Sequence, residues 1–323
     1  MHAKVQGVSV PKKQQPQSAE QAPQKQAIQI IDPRWILKAV GITILVAFLC
    51  AYATLCAQYS IGAWQLILHP SPQVTVLDTQ KLRLPSEEVH FDSDEVGNLH
   101  LAGIWVPGVQ GERHSGTTLL CATDADGRFD DVGLLQAAHQ LGANLFLFDY
   151  RGFGKSAPAR PHEQTMNTDA EAALSYLQSI RKLPLSTIFA CGQGVGASIA
   201  TTLAVHHGAI PALIVADADP AIFDHLMADK RSTLVPARLL THDRFDVASG
   251  LAGVAVPKLL IQTKNIPAGQ RDAYTKAAMP KHIVDLSNTP SMDVALRDAL
   301  SRFLDEYLPA QPLQLTPQLP STK

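Results

Sequence analysis

Little in this chain of 323 residues points to a charge-driven or disulfide-built function. Lys and Arg number 27 against 29 Asp and Glu, a formal net charge of −2. That balance removes the electrostatic footprint of a nucleic-acid binder, and no nucleic-acid partner is expected. Aromatic residues make up only 6% and no repeat of fixed period is present, which excludes solenoids and propellers. Four cysteines are too few for a disulfide scaffold. Cys50 and Cys56 lie in an apolar stretch, while Cys121 and Cys191 each end an apolar run and read as buried thiols. A bridge between the latter two is open geometrically if their runs are neighbouring strands. What is plentiful is apolar side chain, 46% of the chain, enough for one sizeable core.

Charge is missing locally as well: no Asp, Glu, Lys or Arg occurs from Ala39 to Leu68. The run is long enough to cross a bilayer as a helix, and a transmembrane helix is expected over residues 35–58. Lys4, Lys12, Lys13, Lys25, Arg34 and Lys38 precede it, and the next cation is Lys81. The positive-inside bias then places a single-pass chain with its N-terminus in the cytoplasm and its globular part outside. Trp35 and Trp64 stand where interfacial aromatics sit, though Trp64 could equally pack on the domain. A cleaved signal peptide fits less well, because the region before the span is long and the apolar stretch extended. Residues 1–34 and 309–323, rich in Gln and Pro, are expected to be disordered tails.

From residue 65 to 308 the pattern is that of one domain. "EEVHFDS" and "LHLAGIWVP" alternate polar and apolar residues around "DEVGN", which predicts an antiparallel hairpin. "TTLLCA", "NLFLFDY", "STIFACG", "ALIVAD", "PKLLIQT" and "KHIVDL" are short apolar runs, with helix-period segments at 129–141, 166–181, 195–207 and 292–307 between them. Strands buried on both faces and separated by helices indicate an α/β fold with a mostly parallel twisted sheet and helices on both faces. Residues 220–250 break the rhythm and are expected to form a small cap.

"FACGQGVGASIATTLAVHHG", residues 189–208, predicts a strand, a tight glycine turn and a helix. Gly192-x-Gly194-x-x-Ala197, with Asp217 about 20 residues on, satisfies a dinucleotide fingerprint. That fingerprint opens the first strand–helix unit of its sheet, and here it would open about the third. A Ser at Gly194 would instead make the G-x-S-x-G elbow of a hydrolase.

"FDYRGFGKSAP" (148–158), "LVPARLLTHDRFDVASGLAGVAVPKLLIQ" (234–262) and "LILHPSP" after the span, taken in order, resemble the alpha/beta-hydrolase superfamily, in its membrane-anchored, serine-aminopeptidase-like branch. The resemblance implies that fold and places the nucleophile at Gly194, which has no side chain to attack with. Gly192, Gln193, Val195 and Gly196 complete a degenerate elbow. The family's acid position falls on Asn265, in "QTKNIPAG". The turn that carries the family's histidine reads "DLSNTPSMD" here, and His282 stands several residues too early. In the family a His-Gly turn after the third strand supplies an oxyanion donor; this chain has "CATDADG", with Asp124 at or near the donor position. The Val195 amide is the other expected donor.

Ser198, one helical turn beyond the elbow, and Ser156, in the "RGFGKSA" loop, are the alternative hydroxyls; both read as structural. His206 and His207 read as favourable charges at a helix C-terminus. Asp149, Arg151 and Gly152 are expected to stabilise loops at the sheet edge, and Arg244 and Asp246 to fasten the cap to the sheet. Asp124 and Asp126 on one side of the elbow, with Asp217 and Asp219 on the other, could converge as a calcium-like cation site or be ordinary loop carboxylates. The leading expectation is a membrane-tethered pseudohydrolase without cofactor that binds a small molecule, a lipid fragment or a protein. The alternatives are an esterase or peptidase with an unrecognised nucleophile, and a dinucleotide-binding oxidoreductase.

Overall fold

The structure, a computed structural model, describes residues 32–71, 84–93, 99–220, 222, 224, 234–263 and 268–308. The chain divides into two compact units, Met1–Tyr52 and Ala53–Lys323. The tails expected at 1–34 and 309–323 lie outside the described residues, except that helix α1 (Pro33–Gly62) starts within the first. Asp32 begins this helix, its Oδ1 accepting from Arg34 N at 2.9 Å and its carbonyl from Trp35 N at 2.9 Å. Pro33 follows at the first helical position, where its missing N–H costs nothing. No residue of α1 is buried, and the apolar stretch Pro33–Leu66 reaches a mean hydropathy of 2.3. By length and composition it can cross a membrane, and it is the one such helix among the described residues.

The second unit is an eight-stranded mixed sheet. Its strands are β1 (Glu87–Ser93), β2 (Leu99–Val106), β3 (Thr118–Ala122), β4 (Asn144–Phe148), β5 (Ile188–Gln193), β6 (Leu213–Ala216), β7 (Lys258–Gln262) and β8 (Lys281–Asp285), ordered β1-β2-β4-β3-β5-β6-β7-β8. The expected hairpin is β1–β2, antiparallel, with Phe91 opposite Leu101. β2 also runs antiparallel to β4, and every later pairing is parallel. β1 alternates exposed and buried residues along its length, whereas β3 to β7 are buried throughout. Sequence alternation and continuous apolar runs report this difference between a half-covered edge and a doubly covered centre.

Helices cover both faces. The helices α2 (Val132–Gln140) and α8 (Met292–Tyr307) bury Leu134, Leu135, Leu300 and Phe303 with Leu119, Leu145 and Phe189 on one side. On the other, α3 (Glu163–Ser179), α4 (Gly196–His206) and α6 (Val247–Gly253) bury Met166, Leu174, Ile199, Leu203 and Leu251 with Leu120, Phe146 and Val215. The cap expected at 220–250 falls partly outside the described residues. Its described remainder holds a short helix α5 (Ala237–Leu240) and then runs into α6, whose Val247 and Leu251 are core. Helix α7 (Ala268–Lys276) links β7 to β8.

Cys121 and Cys191 are in register on β3 and β5, fully buried, and carry free thiols. Their runs are neighbouring strands, as a bridge would need, but no bridge forms. The loop after β4 is held as expected. The Arg151 guanidinium lies 2.7 Å from Asp169 Oδ1 with both residues buried, and Arg151 N donates to Asp169 Oδ2 at 2.9 Å. Ser156 Oγ donates to Asp149 O at 2.6 Å and accepts from Ala102 N at 2.9 Å, so this hydroxyl staples the loop to β2. Gly152 has a φ of +79°, a conformation that favours glycine.

Candidate functional site

Where β5 hands over to α4, the chain passes through Gly194 with φ at +55°. This is the left-handed region that strains any residue with a side chain. Close packing explains the flanking glycines. A Cβ on Gly192 would lie 2.3 Å from Gly196 O, and one on Gly196 would lie 2.2 Å from Ala122 O and 2.4 Å from Thr123 O. Gly196 thus lets α4 start directly against the end of β3. Gln193 is buried, its Oε1 accepting from Asp130 N at 2.7 Å and Asp131 N at 3.2 Å. Those two amides lead into α2, which Asp131 caps through Leu134 N.

The turn after β3 brings Asp124 over this elbow. Asp124 N donates to Arg128 O and Gly127 N to Asp124 O, each at 2.9 Å, closing a tight "DADG" turn with Gly127 at φ +81°. The half-buried Asp124 carboxylate then accepts from Ala125 N at 2.7 Å and, across strands, from Val195 N at 2.9 Å. A Cβ on Gly194 would fall 2.0 Å from Asp124 Oδ1, 2.1 Å from Cγ and 2.2 Å from Oδ2. The carboxylate therefore stands where a side chain at position 194 would project, and it holds the amide expected to donate to an oxyanion. The sequence pointed to charge repulsion at this place but not to this direct bond. The signal was in the register: Ala122 pairs with Gly192, so two residues further on Asp124 faces Gly194. Tyr150 lies buried nearby. Desolvation, reinforced by the Asp169 and Asp124 charges, pushes its phenol well above the ordinary value and keeps it neutral.

The other candidate residues are dispersed. Asp126 Oδ1 accepts from Arg128 N at 3.0 Å inside its own turn. Asp217, at φ +43°, accepts from Thr263 N at 2.7 Å and from the Thr263 hydroxyl, tying the exit of β6 to that of β7. The Asp219 carbonyl accepts from Ile222 N at 3.4 Å. The expected convergence of Asp124, Asp126, Asp217 and Asp219 on a cation does not occur. Among the described residues no group of three or more His, Cys, Asp or Glu could hold a metal. The carboxylates of Asp124, Asp126 and Asp217 accept instead from backbone amides and, at Asp217, a hydroxyl.

Asn265 lies outside the described residues. His282 is on β8, with Nε2 3.2 Å from Glu306 Oε2 and its ring edge-on to Phe303 of α8. Ser198 is buried within α4. His206 and His207 do end that helix, and both also reach Glu171 on α3, at 3.2 and 2.6 Å. The Arg244 amide donates to Glu163 Oε2 on α3, and Asp246 caps α6 through Ser249 N at 3.0 Å. The dinucleotide pattern sits on β5, at mid-sheet, and its turn already holds a carboxylate where a pyrophosphate would need a bare helix N-terminus.

The strand order, the antiparallel β2 and an elbow at the end of β5 decide the architecture, and comparison with known proteins agrees. Residues 123–295 match the serine aminopeptidase, S33, family. The chain belongs to this family. An uncharacterized protein of Mycobacterium tuberculosis, present in strains CDC 1551 and H37Rv, is 32% identical over 218 residues, 64% of this chain and 76% of that one. In fold, an esterase of Pyrococcus furiosus superposes with a TM-score of 0.56 at 13% identity, over 75% of this chain and 99% of its own. An alpha-beta hydrolase of Vibrio vulnificus gives 0.53 at 17% identity, over 73% and 86%. This member of the serine aminopeptidase family thus has the alpha/beta-hydrolase fold, with a glycine at its elbow.

Proposed function

We propose that this chain is a membrane-tethered pseudohydrolase, a hydrolase scaffold that binds a ligand or protein without cleaving it. One observation carries the reading: the Asp124 carboxylate fills the space of a nucleophilic side chain and accepts the Val195 amide. Hydrolysis of an ester or amide develops negative charge on an oxygen at such an amide. Loss of a single oxyanion donor costs about 10²–10³ in kcat, and a carboxylate in its place adds repulsion. Asn265 at the family's acid position and the histidine-free turn after β8 support the same conclusion. Helix α1 supports tethering, and the cations before it favour a cytoplasmic N-terminus with the hydrolase-like domain outside.

The test is active-site titration of the full-length chain with a fluorophosphonate probe, read by intact mass. The expected result is no adduct. Stoichiometric labelling of one serine would restore the esterase or peptidase reading, and peptide mapping would name the nucleophile.

A further inference from the structure

A cleft of about 580 Å³ lies away from the elbow, between the C-terminal end of α1, the N-terminus of α3 and residues 240–243. It falls within the roughly 300–1,000 Å³ usual for ligand sites. Ser60 Oγ donates to Leu240 O at 3.4 Å, so the end of α1 and the C-terminal end of α5 form one wall. Trp64 continues this wall, with the Arg160 guanidinium 5.5 Å over its ring. Arg160 is exposed and has no carboxylate partner among the described residues. Opposite stand two carboxylates. Asp243 accepts from Glu163 N at 3.0 Å and lies 3.5 Å from His162 Nδ1, and Glu163 accepts from the Arg244 amide at 2.7 Å. Two polar atoms of the lining, Thr241 Oγ1 and Asn167 Oδ1, are buried without a hydrogen bond.

We infer that this cleft binds the phosphoethanolamine headgroup of a membrane phospholipid. The inference rests on the tethered reading of α1. A helix rises about 1.5 Å per residue, so from Trp35 about 30 Å of hydrocarbon is crossed near Leu55. Ser60 and Trp64, two residues of the cleft wall, then follow directly on the span, at the headgroup level along the chain. The chemistry selects the headgroup. A cation without a carboxylate partner takes the phosphate, while carboxylates with lone pairs to spare take an N–H donor. A ligand with both signs fits better than an anionic one, which Glu163 and Asp243 would repel. A primary ammonium fits better than choline, since choline has no N–H and the Trp64 face already holds Arg160.

The full-length chain in mild detergent is given equal amounts of phosphatidylethanolamine, phosphatidylcholine and phosphatidylglycerol with identical acyl chains. Lipid retained after gel filtration is then quantified by mass spectrometry. The ethanolamine lipid should exceed the others about tenfold, the worth of one or two charge-assisted hydrogen bonds. Arg160→Ala should remove most of that excess, and Glu163→Gln should lower retention of the ethanolamine lipid while leaving the glycerol lipid unchanged. Equal retention of all three lipids, or an Arg160→Ala chain that keeps the preference, overturns the inference. So does displacement by sn-glycero-3-phosphoethanolamine at the lipid's own concentration, which would make the ligand a soluble one. Alkaline carbonate extraction separates the two failures. A chain released from membranes overturns the tether and this inference together, whereas one that stays in the pellet without lipid preference overturns this inference alone.

Discussion

Asp124 and Gly194 occupy one volume between them, and a double-mutant cycle measures how tightly. In the wild-type background, Gly194→Ala costs two things. The left-handed φ of +55° is about 1 kcal/mol dearer for alanine than for glycine. The new Cβ, 2.0–2.2 Å from three carboxylate atoms, must also expel Asp124 and break its bonds to Val195 N and Ala125 N. Hydrogen bonds to a charged group are worth about 1.5–3 kcal/mol each. A half-buried carboxylate recovers much of that from water, which leaves about 2 kcal/mol for the pair. The total is about 3 kcal/mol, or a fall in Tm of about 6–12 °C at roughly 2–4 °C per kcal/mol. In an Asp124→Ala background the bonds are already gone and the space is open. The same substitution should then lower Tm by only about 2–4 °C. The coupling, about 2 kcal/mol, is read by thermal melting of the four full-length chains in one detergent. Equal falls in the two backgrounds would show that the carboxylate does not fill the elbow, and would refute the steric argument.

Arg151→Met strands the Asp169 carboxylate in the core and should cost about 3–5 kcal/mol in denaturant unfolding. Adding Asp169→Asn removes the stranded charge and should recover part of the loss; no recovery would assign the loss to packing. His114 is buried, with Nε2 3.3 Å from Asp305 Oδ1, and desolvation holds its pKa below the ordinary histidine value. The unfolded chain therefore binds the proton first. This group's contribution is complete above about pH 6.5, the unfolded value, and is lost as the pH falls toward the lower folded one. His114→Gln should narrow the Tm difference between pH 8 and pH 5; an unchanged difference would contradict the burial argument.

Much of the fold was written in local pattern. Alternation marked β1 and β2, uninterrupted apolar runs marked the central strands, and the 195–207 and 292–307 helices fall within a residue of α4 and α8. These features depend on which face of an element is covered, and period reports that directly. The elbow was also legible, because only glycines permit the contacts of Gly192 and Gly196. The fate of each carboxylate was not. Asp124, Asp126 and Asp217 look alike in sequence, yet each meets a different partner, that of Asp124 set by the register of β3 on β5 and that of Asp217 by the register of β6 on β7. The cleft beside Trp64 was hidden for a related reason. Its two walls are joined by a contact between Ser60 and Leu240, 180 positions apart, that no window along the chain can contain.

The meeting of Asp124 with Gly194 also bears on ancestry and engineering. Installing a serine alone collides with the acid, and exchanging the acid alone leaves an amide and a turn without their acceptor. Each single step is a loss, so the two positions act as a ratchet for any lineage that carries both. A laboratory library meant to place a side chain at this turn would have to change the pair together.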